Sequence, residues 1–393
     1  MTEHLQERVN RVHAWARDHM DLYRDVLTEL VTRETPSDAP ERMRPLIDWI
    51  VGMMRELHIR SRTFPLENGA AVLLQWVSTD DAMPQRFDVT LLGHLDTVWP
   101  VGTLATMPFR IEGDRVTGPG VFDMKGGVAL AVYLARCLHT LDAWPRHRTI
   151  AFLWTPDEEI GSRYSRHVIA EVARKSRVVL CLEPAGSQGA VKVERYGVAT
   201  LEIQLRGRSG HPGLRTGGVH AIERAIGLHA WLRSWHVPGD RLWLTLTRIR
   251  GGARVNQIPD TCEMTYDVRY LDTATLDRLE HWLVRLQPVG TDPEELTDTE
   301  IRVRLQRGTP PMPRTATERV FRQARMIARW LGRELEGIRV GGGSDAAHAA
   351  AAGAEVLDGL GVEGDHAHSP LEWMDLTCVP YRTALLAGLV WTA

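Results

Sequence analysis

Residues 93–100 read GHLDTVWP and close the apolar run DVTLLGH. Alternate residues of a strand share a face, so His94 and Asp96 would lie on one side of the strand end. An imidazole beside a carboxylate suits a metal ligand and the acid that orients it; it is equally an ordinary turn. Four further segments carry side chains of the same kinds. GPGVFDMKGG (118–127) holds Asp123 in a glycine-rich turn, and LWTPDEEIGS (153–162) holds Asp157, Glu158 and Glu159. LCLEP (180–184) ends on Glu183, and GDHAHSPLEW (364–373) offers His366, His368 and Glu372. Singly, Asp123 before a helix is an N-cap and a Glu pair after a strand is solvated or capping. Glu183 before a proline is an exposed loop acid, and the two histidines are surface residues. Together they supply His, Asp, Glu, Glu and His, a nitrogen and carboxylate-oxygen set without thiolate that suits a pair of zinc-like ions. The adjacent acids 158 and 159 divide naturally into a metal ligand and a proton acceptor.

Such residues need elements that bring strand ends together. DVTLLGH (88–94), TIAFLWT (149–155) and VVLCLE (178–183) are continuously apolar. Between the first two, KGGVALAVYLARCLHT (125–140) places Val128, Ala131, Val132, Ala135 and Leu138 at helical spacing. Strands apolar on both faces with helices between them predict an α/β fold, a mainly parallel sheet covered on both sides. Chemistry in such sheets gathers beyond the carboxyl ends of the strands. From about residue 197 the pattern changes: in TLEIQLRGR, Leu201, Ile203 and Leu205 alternate with Glu202, Gln204 and Arg206. A helical stretch (219–235), strands at 241–250 and 261–269, a second helix (273–286) and a strand at 300–307 follow. That order is β-α-β-β-α-β, a ferredoxin-like, half-exposed sheet. The expected division is therefore a first domain of residues 1–196 and 308–393, interrupted by an insert at 197–307.

The 393 residues exceed a single typical core, in keeping with two domains. A net charge of −3 gives no field favouring nucleic acid or an anionic membrane surface. Cys137, Cys181, Cys262 and Cys378 are far apart and form no zinc-knuckle spacing. The polar start MTEHLQERVNRVHAWARDHM has no signal-peptide core, and no run approaches the roughly 20 apolar residues of a membrane span. A cytoplasmic protein without membrane or nucleic-acid partners is expected.

The motifs GHLDTV, GPGVFDMKGG, DEEIGS, LEP, GRSGHPG, NQIP, DVR, GGGSDA and HAHSPLEW resemble, in order and across most of residues 90–375, those of the M20 metallopeptidases and amidohydrolases. The stretch 96–127 is especially similar to the glutamate carboxypeptidase branch; acetylornithine deacetylase and succinyl-diaminopimelate desuccinylase are related. The resemblance implies two Zn2+ per chain, replaceable by Co2+ or Mn2+. His94 and Glu183 would bind one ion, Glu159 and His368 the other, and Asp123 would bridge them. Asp96 would orient His94, and Glu158 would be the general base for a water bridging the metals. The family's HxxxE pattern fits His368 with Glu372 and leaves His366 as a neighbouring loop residue. A cis Asp123–Met124 peptide is also implied. The insert would be a lid and dimerisation domain, its His211 stabilising the oxyanion in a partner's site, while Asn256, Arg269 and the backbone of Gly342 and Gly343 line the substrate pocket. A homodimeric metallocarboxypeptidase acting on small peptides follows, with an N-acyl amino acid deacylase as the alternative on the same chemistry. A non-hydrolytic binding protein is the further alternative, and the intact ligand set with Glu158 argues against it. The chain departs from the branch at QRGTPPMP, where Arg307 remains but the next basic position is Thr309. Specificity for a C-terminal glutamate is thereby open, with Arg195, Arg215 and Arg254 as further candidates for binding a carboxylate.

Overall fold

A computed structural model describes residues 2–77, 82–214, 217–234, 241–285 and 300–392. The chain divides into two compact units: Met1–Glu194 with Met312–Val340 and Ser344–Ala393, and Arg195–Pro311 with Gly341–Gly343.

The first unit is built on a six-stranded sheet. Its strands are β1 (Arg60–Pro65), β2 (Ala71–Val77), β3 (Phe87–His94), β4 (Ile150–Thr155), β5 (Ser176–Cys181) and β6 (Glu355–Leu357), in the order β1-β2-β4-β3-β5-β6. The pairs β4–β3, β3–β5 and β5–β6 are parallel, while β1–β2 and β2–β4 are antiparallel. The continuous apolar runs have a direct cause. Leu91, Phe152, Trp154 and Leu180 enter one core, and Leu92, Leu153, Val179 and Cys181 enter another. A sheet buried on both faces gives each strand no solvent side on which to be polar.

Helix α1 (Gly126–Thr140) follows the Asp123 turn and covers the first core, contributing Val128, Ala131, Val132, Ala135 and Leu138. Helices α2 (Arg166–Lys175) and α3 (Asp345–Ala351) contribute to the second. Glycine is required where α1 begins: a Cβ on Gly127 would lie 2.2 Å from the Leu182 carbonyl oxygen. A small antiparallel sheet pairs Trp373–Asp375 with Arg115–Thr117, flanked by Gly364–Asp365 and Arg110–Glu112. It sets the chain leading to Asp123 beside the chain returning from His368. None of these short pairings leaves a periodicity long enough to read from sequence.

The second unit is a four-stranded antiparallel sheet of Gly197–Arg206, Leu242–Gly251, Thr261–Tyr270 and Glu300–Arg307, with helices Ala221–Ser234 and Thr273–Arg285. Strand Thr261–Tyr270 lies between Leu242–Gly251 and Gly197–Arg206, which in turn pairs with Glu300–Arg307. Leu201, Ile203 and Leu205 meet Cys262, Met264, Tyr266 and Val268 in this unit's own core. The sequence placed its helices at 219–235 and 273–286; residues 235 and 286 lie outside the described residues. Among the described residues no helix is long and apolar enough to cross a membrane, and all four cysteines are buried and free.

Candidate metal centre

The register of the sheet creates the site. His94 pairs with Thr155 across β3 and β4, and Leu92 pairs with Cys181 across β3 and β5. Two residues beyond that last pair stand His94 and Glu183, so the strand ends deliver an imidazole and a carboxylate at one level. His94 Nε2 lies 3.7 Å from Glu183 Oε1. The turn before α1 brings Asp123 alongside, its Oδ1 3.2 Å from the same nitrogen. The Asp123–Met124 peptide is cis, in accord with the resemblance.

From the other side, His368 Nε2 lies 3.5 Å from Asp123 Oδ2 and 3.1 Å from Glu159 Oε2. The two oxygens of Asp123 thus face different histidines. His366 and His368 both have positive φ, 62° each, a conformation uncommon for residues other than glycine and found where the surroundings enforce it. Two sets of potential ligand atoms lie mutually within 4.8 Å: His94 with Glu158 and Glu183, and His94 with Asp123 and Glu159. The structure thus gathers His94, Asp96, Asp123, Glu158, Glu159, Glu183 and His368, with Glu158 a member of one of the two sets.

The charges are poorly balanced without a cation. Burial followed by the proximity of Glu183 raises the Glu158 carboxyl well above its usual range. Burial also raises Glu159, against the pull of His368. Burial disfavours the charged form of His94, yet hydrogen bonds to Asp123 and Asp96 leave it well above an ordinary histidine. His368 is raised to about 10 by Asp123 and then Glu159. The buried Glu159 Oε1 has no hydrogen-bond partner. Crowded acids, imidazoles held charged by them and an unpaired buried carboxylate oxygen fit a divalent cation, which would replace those protons on the same atoms.

Several supporting contacts escaped the sequence reading. Asp96 does more than face His94 Nδ1 at 3.4 Å. Its carboxylate accepts the backbone N–H groups of Glu158 (3.2 Å) and Glu159 (3.1 Å) and the Ser37 hydroxyl (2.6 Å). Glu372 accepts the N–H groups of Gly120, Phe122 and Asp123, each at 3.0 Å, and the Trp99 indole at 2.9 Å. It therefore fixes the turn that presents Asp123 from the segment that also carries His368. Lys125 is buried and donates to the Arg33 carbonyl at 2.6 Å; burial lowers its ammonium to about 7. Ser37 and Arg33 lie in RETPS, a segment with no periodicity and no obvious motif.

The remaining predicted residues belong to the second unit. His211 is exposed, its Nδ1 accepting from Gly213 N at 3.2 Å. Asn256 is exposed in a turn. Arg269 pairs with Asp267 at 2.7 Å and donates to the Gly341 carbonyl at 2.9 Å. Arg195 donates to the carbonyls of Gly342 (2.9 Å) and Gly343 (2.8 Å). These two arginines explain why the tri-glycine segment groups with this unit. Arg307 is bound by Asp277 and Glu280, and Thr309 is buried. Arg254 is exposed; Arg215 lies outside the described residues.

Comparison with known proteins places this architecture. Residues 90–392 match the Peptidase family M20/M25/M40, and the chain belongs to that family of metal-dependent peptidases and amidohydrolases. It is 30% identical to carboxypeptidase G2 of Pseudomonas sp. (strain RS-16), over 77% of this chain and 73% of the relative. It is 28% identical to acetylornithine deacetylase of Edwardsiella ictaluri (strain 93-146), over 63% of this chain and 66% of the relative. Its fold matches aminopeptidase PepT from Bacillus cereus ATCC 10987 with a TM-score of 0.77 at 20% identity, over 95% of this chain and 98% of that one.

Proposed function

We propose that this protein is a di-zinc hydrolase that cleaves an amide bond in small peptides, as a metallocarboxypeptidase. The reading rests on Asp123, whose two oxygens face His94 Nε2 at 3.2 Å and His368 Nε2 at 3.5 Å, the disposition expected of a carboxylate shared by two cations. His94 and Glu183 would hold one ion, and Glu159 and His368 the other. The nitrogen and oxygen donors suit zinc, with cobalt or manganese as substitutes. Bound ions would polarise the substrate carbonyl and supply a nucleophile from water at neutral pH. Glu158 takes the proton of the attacking water and passes it to the leaving amine. Its raised affinity for a proton, caused first by burial and then by Glu183, suits a group that must accept one. Asp96 fixes His94 and the Glu158 backbone together. The insert serves as lid and dimerisation domain of a homodimer, contributing His211 to a partner's oxyanion and Asn256, Arg269, Gly342 and Gly343 to the pocket.

A second reading, N-acyl amino acid deacylase, uses the same chemistry. Arg307 is occupied by Asp277 and Glu280 and Thr309 offers no charge, which weighs against a substrate that needs a second acidic group read at these positions. The relative named carboxypeptidase G2, 30% identical over 77% of this chain, supports the peptidase.

Metal content of the purified protein, measured with hydrolysis of a panel of N-acetyl amino acids and dipeptides with acidic, basic and apolar C-termini, tests both. About two ions per chain and chelator-sensitive cleavage are expected, and the preferred substrate selects the subclass. Glu158→Gln should retain the ions while turnover falls about 1,000-fold; near-normal turnover would remove Glu158 as the base. Absence of both metal and cleavage would leave only the binding-protein alternative.

A further inference from the structure

The loop that carries Glu158 and Glu159 leaves β4 at Thr155 and ends at Ser162. Its end is tightly turned: Gly161 N donates to the Glu158 carbonyl at 2.7 Å and Ser162 N to the Asp157 carbonyl at 2.8 Å. Gly161 has φ +82° and Ser162 φ +50°. For serine that left-handed conformation costs energy and persists only where the surroundings hold it. What holds it comes from a distant part of the chain. The Ser162 hydroxyl donates to Asp345 Oδ1, and the Thr155 hydroxyl donates to Asp345 Oδ2 at 2.5 Å. Asp345 is 2% exposed and Ser162 2%. A single buried carboxylate therefore grips the residues on either side of the loop. Thr155 is also the strand neighbour of His94, and its carbonyl accepts Leu95 N at 2.8 Å.

We propose that Asp345 is a positioning residue for the hydrolytic reaction: by tying Thr155 and Ser162 to one carboxylate it closes the loop Pro156–Gly161 and sets Glu158 and Glu159 in place. The proposal rests on the reading of that loop as catalytic, and touches neither substrate nor ion directly. Loss of the carboxylate lets Ser162 relax toward an ordinary φ, which moves the N–H groups of Gly161 and Ser162 that hold the Glu158 and Asp157 carbonyls, and with them the acids. Effects of this kind fall on kcat rather than on ground-state binding. They are also shared rather than additive, because Ser162 and Thr155 act through the same group.

The test compares wild type with Asp345→Ala, Asp345→Asn, Ser162→Ala, Thr155→Val and the double variant Ser162→Ala/Asp345→Ala. Hydrogen exchange is read on peptides spanning 155–165 and, as an internal reference, 261–270. Exchange at Gly161 and Ser162 should quicken about tenfold in Asp345→Ala, less in Ser162→Ala and Thr155→Val, with the reference strand unchanged. On the dipeptide or N-acetyl amino acid that wild type cleaves fastest, kcat should fall about 10- to 100-fold with KM little changed. The double variant should be no worse than Asp345→Ala. Unchanged exchange at 161–162 in Asp345→Ala, or additive losses in the double variant, overturns the proposal. If Asp345→Ala fails to fold, Ser162→Ala and Thr155→Val carry the same comparison, and equal exchange to wild type in both overturns it. If wild type cleaves nothing, the function proposed above fails, while exchange still decides whether Asp345 holds the loop.

Discussion

At the scale of single residues, the arrangement of the centre depends on Asp96. Asp96 Oδ1 faces His94 Nδ1 and accepts the Glu158 amide, and its Oδ2 accepts the Glu159 amide. It thereby couples the orientation of His94, the proposed ligand, to the placement of Glu158, the proposed base. Asp96→Asn keeps the volume but offers an amide nitrogen where a charged acceptor now receives N–H groups, so one of those contacts becomes repulsive. Turnover should fall about 10- to 100-fold, with weaker metal binding, measured as kcat and as metal affinity by calorimetry on stripped protein. Ser37→Ala removes only the hydroxyl donor to Asp96 and should act in the same direction by about fivefold. An Asp96→Asn enzyme with wild-type kcat would remove Asp96 from this role. His94 and Asp96 were legible because two residues at a strand end share a face; Ser37 was not, because a hydrogen bond across 59 residues leaves no local pattern.

At the scale of elements, the strands that carry the site could be read because burial on both faces makes them continuously apolar. β6, a strand of three residues, and the sheet that joins Trp373–Asp375 to Arg115–Thr117 could not. The second of these lies beside Glu372, which gathers three backbone N–H groups of one turn. Helix α3 illustrates how such closure buries polar groups that sequence presents as ordinary. His348 is 9% exposed and its Nε2 has no partner; burial, helped by nearby Arg166, lowers it to about 4. In the unfolded chain a histidine takes up its proton near pH 6.5. Between those values the unfolded state holds more protons, so stability rises with pH. The contribution is complete above about pH 6.5 and is lost as pH falls toward about 4. From pH 7 to pH 5 wild type should therefore lose about 2 kcal/mol more than His348→Gln, read by urea unfolding. Equal losses in the two proteins would show that His348 is not buried neutral.

At the scale of the whole molecule, two patterns of apolar residues announce two cores: continuous runs for the parallel sheet, strict alternation for the half-exposed one. What sequence does not announce is that Gly341–Gly343 clusters with the insert, since that follows from Arg195 and Arg269 gripping three carbonyls. The separation of cores has a consequence for metal removal. His94, Asp123, Glu158, Glu159, Glu183 and His368 all belong to the first unit, where Lys192 Nζ, 3.6 Å from Glu183 Oε2, is a nearby fixed cation. Ions held there would bind the native state and not the unfolded one, and a concentration 1,000 times the dissociation constant would stabilise it by about 4 kcal/mol. The second unit has its own core of Leu201, Ile203, Met264, Tyr266 and their neighbours and holds none of these ligands. Chelation should therefore quicken hydrogen exchange in β3, β4 and β5 while leaving Gly197–Arg206 and Thr261–Tyr270 near their original rates, and re-addition of zinc should restore protection. A uniform loss across both units would mean that they unfold as one cooperative body. No change in either would mean that these residues do not hold the ions.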